Sequence, residues 1–252
     1  MAERRFKAVV LDLFDTLVRW EPARLPTLEW RGRSLRSTMP WLLPRIREAL
    51  DGNFDLDTFL ETYHAVIEEI TAEREQSLIE ITCHERFART LGRLGLPEGE
   101  ERHGAARDLT RIHMAGVRSI TSAPPEYVAA VRRIAQSHRL GLLSNFDDSQ
   151  TGREILADTG VSHLFEAVII SADLAVRKPN PLIFQRMLEM LRLGPDEILF
   201  VGDTPREDVI GARNAGIPIA WLSRGKGLLP EGIPAPDFIL EDLTGLPALL
   251  EL

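Results

Sequence analysis

Ala8-Val9-Val10-Leu11-Asp12-Leu13-Phe14-Asp15-Thr16-Leu17 is the stretch that decides the fold. Its opening apolar run has the length and composition of a buried strand in a parallel sheet. A carboxylate, Asp12, stands at the carboxyl end of that run, where open α/β sheets bind their ligands. Aspartate is also a common turn residue, so on these ten residues alone a structural and a chemical role weigh about evenly.

Working outward, the pattern that matches this strand lies far downstream. Beyond Pro124-Pro125 the periodicity predicts a helix over 126–136, a strand over 140–143, a further helix and a strand over 165–170. A helix over 181–193 follows, with Asn180 as N-cap and Pro181 at its first position. A strand over 198–201, a helix over 206–215 closed by Gly216, and a strand over 217–222 complete the series. Alternation of this kind implies right-handed crossovers and a doubly wound, Rossmann-like parallel sheet covered on both faces. Residues 1–17 therefore belong with 120–252, and 18–119 form an insert.

The insert has a different texture. Residues 22–44 are rich in proline and tryptophan and read as loop with short helical pieces. Phe59, Leu60, Tyr63, Ile67 and Ile70 recur at helical spacing, and Thr82 with Glu85 forms a capping box for the next helix. A third helix is expected over 100–115, with no strand anywhere in the insert. An all-helical cap is the expectation.

Composition excludes several classes. The 252 residues are 44% apolar and 27% charged, and no segment is long and apolar enough to span a bilayer. The N-terminus lacks the apolar stretch of a secretory signal. A lone Cys83 excludes an internal disulfide framework and fits a reducing cytoplasm. A net charge of −8 argues against nucleic acid as the main partner. Oligomeric state is not legible. The window 19–48 carries seven arginines with Trp20, Trp30 and Trp41, which suits either a surface attracting an anion or ordinary packing. The six histidines show no metal-ligand spacing.

Four strand ends carry polar groups in order: Asp12, Ser144-Asn145, Arg177-Lys178-Pro179-Asn180-Pro181, and Gly202-Asp203 with Asp208 behind it. Together they resemble the signature of the haloacid dehalogenase-like (HAD) hydrolases with a helical cap after the first motif. The resemblance covers about residues 6–17 and 120–245. It implies a nucleophilic Asp12 and a Ser144 that, with Asn145 and Lys178, binds the transferring group. It also implies Mg²⁺ held by Asp12, the Phe14 carbonyl and Asp203, with Asp208 orienting that shell. Three clustered carboxylates against one lysine would repel an anionic substrate, and a divalent cation repairs the balance. The expected activity is Mg²⁺-dependent hydrolysis of a small phosphate monoester through an aspartyl-phosphate.

One position departs from the family pattern. Its phosphatases place an acid/base aspartate two residues after the nucleophile, where this chain has Phe14. Asp15 is one residue away, but a one-residue shift in an extended segment turns the side chain to the opposite face. Two alternatives follow: haloacid dehalogenation by the same Asp12, since halide leaves without a proton, and a catalytically weak binding protein.

Overall fold

A computed structural model describes residues 6–50, 54–225 and 227–252. The chain divides into two compact units, Met1–Trp20 with Ser122–Leu252, and Glu21–Thr121. Among the described residues, no helix is long and apolar enough to cross a membrane.

The first unit is a six-stranded parallel sheet with helices on both faces. From edge to edge its strands are Phe238–Leu240, Ile219–Leu222, Ile198–Gly202, Ala8–Leu11, Arg139–Ser144 and Phe165–Ile170. Ala8–Leu11 lies inside the sheet because all four residues are buried and apolar, so both faces need cover. Leu11 aligns with Val201 on one side and Leu142 on the other. That register ends three strands at one edge and delivers Asp12, Asp203 and Ser144 there. Val10, Leu143, Phe184, Phe200 and Trp221 belong to the core that packs helices onto the sheet.

The expected elements of this unit are present, with two differences. Phe238–Leu240 is a sixth strand that periodicity did not reveal: three residues at a sheet edge need only one neighbour and leave little pattern. The helix expected over 206–215 begins instead as a π-turn, Pro205–Val209, before the α-helix Ile210–Asn214. Asp208 explains the wider turn, since its carboxylate reaches back to accept the Thr204 N–H at 2.9 Å.

The second unit carries four helices, Met39–Ala49, Leu56–Ser77, Cys83–Arg93 and Glu100–Ser119. Asp55 caps the second, accepting from Thr58 N at 2.8 Å. At the third, Thr82 accepts from Glu85 N at 3.2 Å, while the Glu85 carboxylate turns to Arg89. Only half of the expected capping box forms there.

The unit is not all-helical. Thr27–Trp30 and Arg33–Arg36 pair antiparallel, with Leu28 opposite Leu35. Arg31 and Gly32 form the turn with φ of 49° and 71°, the backbone of a two-residue hairpin. The usual Asn-Gly or Asp-Gly signal is absent, because arginine fills the first left-handed position. Trp30 fastens the hairpin to the Leu56–Ser77 helix, donating its indole N–H to Asp57 Oδ1 at 2.8 Å and stacking on His64 at 5.4 Å. Trp41 lies over Gly116. Both of these tryptophans therefore pack the unit.

Candidate active site

Lys178 is the centre of the site. It is 1% exposed, and its ammonium donates to Asp12 Oδ1 at 2.7 Å and to Asp208 Oδ1 at 2.6 Å. A buried ammonium is tolerable only when paired this completely. Burial alone would lower its pKa; the carboxylates of Asp12 and Asp208 overcome that and raise it. The segment bearing it is held from the neighbouring strand end. Asn145 accepts from Lys178 N at 2.7 Å and donates to Lys178 O at 3.0 Å. Asn145 thus acts on the site by placing Lys178.

Asp12, Asp203 and Asp208 converge, with one oxygen of each within 4.8 Å of the others, and all three residues are buried. Two like charges at that separation repel by about 3 kcal/mol at an effective dielectric of about 20. Burial, reinforced by Asp208 and Asp203, pushes Asp12 up to about 7 despite the opposing pull of Lys178. Three carboxylates cluster beside one ammonium, which bonds Asp12 and Asp208, so the donor set suits a hard divalent cation.

Each acid is positioned by its backbone. Asp12 N donates to Val201 O at 2.9 Å, continuing the ladder past the strand. Asp203 accepts from Thr204 Oγ1 at 3.2 Å, and its carbonyl accepts the buried Trp221 indole N–H at 3.0 Å. Gly202 is required by a close approach: a Cβ there would sit 2.4 Å from Asp208 Cγ. Ser144 is fully buried, and its hydroxyl has no hydrogen-bond partner. A buried unpaired hydroxyl is costly unless a ligand oxygen completes it.

Phe14 and Asp15 part company. The Phe14 ring packs on Phe146 at 4.8 Å and on Trp20 at 5.6 Å, toward the Ser144 side of the sheet. Asp15, at φ 58°, ion-pairs with Arg224, which follows the strand on the other side of Asp203. Arg224, Thr204, Trp221 and Phe146 carry no chemical pattern of their own in the sequence. Only the strand order brings them to the edge where Asp12 lies.

With this geometry in view, comparison with known proteins is decisive. The family model for haloacid dehalogenase-like hydrolases matches residues 6–216. The chain belongs to the HAD-like hydrolases. It is 31% identical over 249 residues to the phosphoserine phosphatase of Thermus thermophilus, covering 94% of this chain and 96% of that one. Among solved HAD structures, the 2-haloacid dehalogenase of Pseudomonas syringae pv. Tomato matches with a TM-score of 0.70 at 20% identity, covering 98% of each chain. The magnesium-bound HAD hydrolase YfnB of Bacillus subtilis matches with a TM-score of 0.62 at 18% identity, covering 99% of this chain and 100% of that one. At these identities the two structures show a shared HAD fold and leave the reaction to the site.

Proposed function

We propose that this HAD-like hydrolase is a Mg²⁺-dependent phosphatase that cleaves small phosphate monoesters. The observation that carries the reading is the buried Lys178 ammonium bridging Asp12 and Asp208 beside Asp203. Asp12, the Phe14 carbonyl and Asp203 would hold the cation, with Asp208 orienting its surroundings. Bound there, Mg²⁺ neutralises the carboxylates and the incoming phosphoryl oxygens.

Asp12 is the nucleophile, attacking phosphorus to form an aspartyl-phosphate and expel the alcohol. Lys178 fixes the attacking carboxylate through Oδ1 and offsets charge on the phosphoryl group. The unpartnered Ser144 hydroxyl donates to a phosphoryl oxygen. Water then attacks phosphorus, regenerating Asp12 and releasing inorganic phosphate. In this reading residues 18–119 act as a cap that selects substrates and limits access of bulk water. The single cysteine, Cys83, is buried and in no disulfide, which suits a cytoplasmic protein.

Phe14 keeps a second reading in play, because a halide needs no proton on departure and an aromatic ring supplies none. The carboxylate cluster favours phosphate, since a metal-free displacement has no use for Asp203. A phosphate-ester panel with and without Mg²⁺, run beside a halide-release assay on 2-chloropropionate, decides between them. Phosphate release that vanishes with EDTA and with Asp12→Asn supports the proposal. Halide release without metal overturns it.

A further inference from the structure

The rim of the site on the sheet unit is aromatic. Asp12 and Ser144 form its floor, at 7% and 0% exposure, while Phe14 and Phe146 each lie two residues further along the same two chain segments and are half-buried. Leu13, between Asp12 and Phe14, is fully buried, while the Phe14 ring is half-buried. Phe14 touches both Phe146 and Trp20, making a continuous wall of three rings. Its far side is also anchored: Phe146 N donates to Ser171 Oγ at 2.8 Å.

In-line displacement fixes where the leaving group goes. With Asp12 attacking from the floor, the departing oxygen points away from it, toward the rim. The rings of this wall carry no acidic proton: Phe14 and Phe146 have none to give, and the Trp20 indole N–H is not an acid. Asp15, the nearest carboxylate in sequence, is drawn to the opposite side by Arg224.

Resting on the phosphatase reading above, we infer that the natural substrate is a phosphate ester of an acidic hydroxyl on a flat, unsaturated group, a phenol or enol, and not of an alkyl alcohol. Asp12 Oδ forms the new bond to phosphorus, the phosphorus–oxygen bond to the leaving group breaks, and the electron pair stays on that oxygen. The phenolate or enolate leaves as the anion and takes its proton from water afterwards. A phenol, titrating at about 10, tolerates this; an alkyl alkoxide does not. The rings hold the flat group by stacking, worth about 0.5–1.5 kcal/mol for an aromatic pair.

Three substrates test it with the full chain and Mg²⁺: phenyl phosphate, cyclohexyl phosphate of similar size, and acetyl phosphate, which has a good leaving group and no ring. Phenyl and acetyl phosphate should exceed cyclohexyl phosphate in kcat/KM by about 10²-fold or more, the value of the missing proton donor. Phe146→Leu should raise KM for phenyl phosphate about 2- to 12-fold, the stacking energy expressed as affinity, and raise it less for acetyl phosphate, which has no ring to stack. Cyclohexyl phosphate turned over as fast as phenyl phosphate overturns the inference. Equal effects of Phe146→Leu on all three substrates overturn the wall. Failure of all three with and without Mg²⁺ would instead sink the phosphatase reading itself.

Discussion

Replacing Gly202 by alanine would force a methyl group into the space that Asp208 occupies. The new Cβ would meet Asp208 Cγ and Oδ2 at 2.4 Å and its Cβ at 2.8 Å. Asp208 has little room to yield. It is 1% exposed, with Oδ1 held by Lys178 at 2.6 Å and Oδ2 by Thr204 N at 2.9 Å. Overpacking a filled site costs about 1–3 kcal/mol, and losing one hydrogen bond to a charged group adds about 1.5–3 kcal/mol. Gly202→Ala should therefore destabilise the sheet unit by about 3–5 kcal/mol in urea unfolding. The mechanism is isolated by a cycle with Asp208→Ala, which removes the carboxylate the methyl would strike. In that background the cost of Gly202→Ala should shrink by at least about 1 kcal/mol. Strict additivity, or a Gly202→Ala protein as stable as the parent, would refute the close-approach account.

Other perturbations reach different parts of the structure. Millimolar Mg²⁺ should raise the unfolding midpoint, by about 2.7 kcal/mol of stability at a hundred times its Kd, and Asp203→Asn should remove most of that shift; a flat calorimetric titration of the parent would dispose of the metal assignment. Asn145→Ala breaks both bonds to the Lys178 backbone and should lower kcat by as much as about 10²-fold; a change in KM alone would mean that Asn145 touches substrate directly. Partial burial, then His103 and Arg107, hold His84 below its ordinary value of 6.5. The unfolded chain therefore takes up that proton at higher pH than the folded one, so stability falls as pH drops through about 6.5 and recovers as it rises. His84→Gln should flatten this slope in melts between about pH 5 and 7, and an unchanged slope would place its origin elsewhere.

The parts legible in the sequence are those coded locally. Asp12 and Asp203 each end a short apolar strand, so their neighbours announce both the strand and its carboxyl edge. Asn180 and Pro181 likewise announce a helix start, and Asn180 does accept from Leu182 N at 3.0 Å. What stayed hidden depends on contacts that the topology creates. Asp15 with Arg224, Asn145 with the Lys178 backbone, and Trp221 with the Asp203 carbonyl each join segments that no spacing rule connects. His84 and His103 lack ligand spacing, yet two helices bring their ring nitrogens to 3.1 Å. The Thr27–Arg36 hairpin was hidden for a different reason: its turn is built from Arg31, a residue that seldom marks one.

The placement of Ala8–Leu11 inside the sheet bears on how the protein is made. This strand leaves the ribosome well before one of its two partners, Ile198–Gly202, which emerges about 190 residues later. At roughly 5–20 residues per second, that is about 10–40 s in which four apolar residues have an unfilled pairing edge. The residues from Glu21 to Thr121 are complete well before then and form a compact unit. The nascent chain thus carries Asp12 just past a sticky, waiting strand while the insert behind it is already whole. Slowed translation downstream of residue 121 should lengthen that exposure and increase aggregation, whereas charge placed at Val9 or Val10 to suppress it would forfeit the sheet.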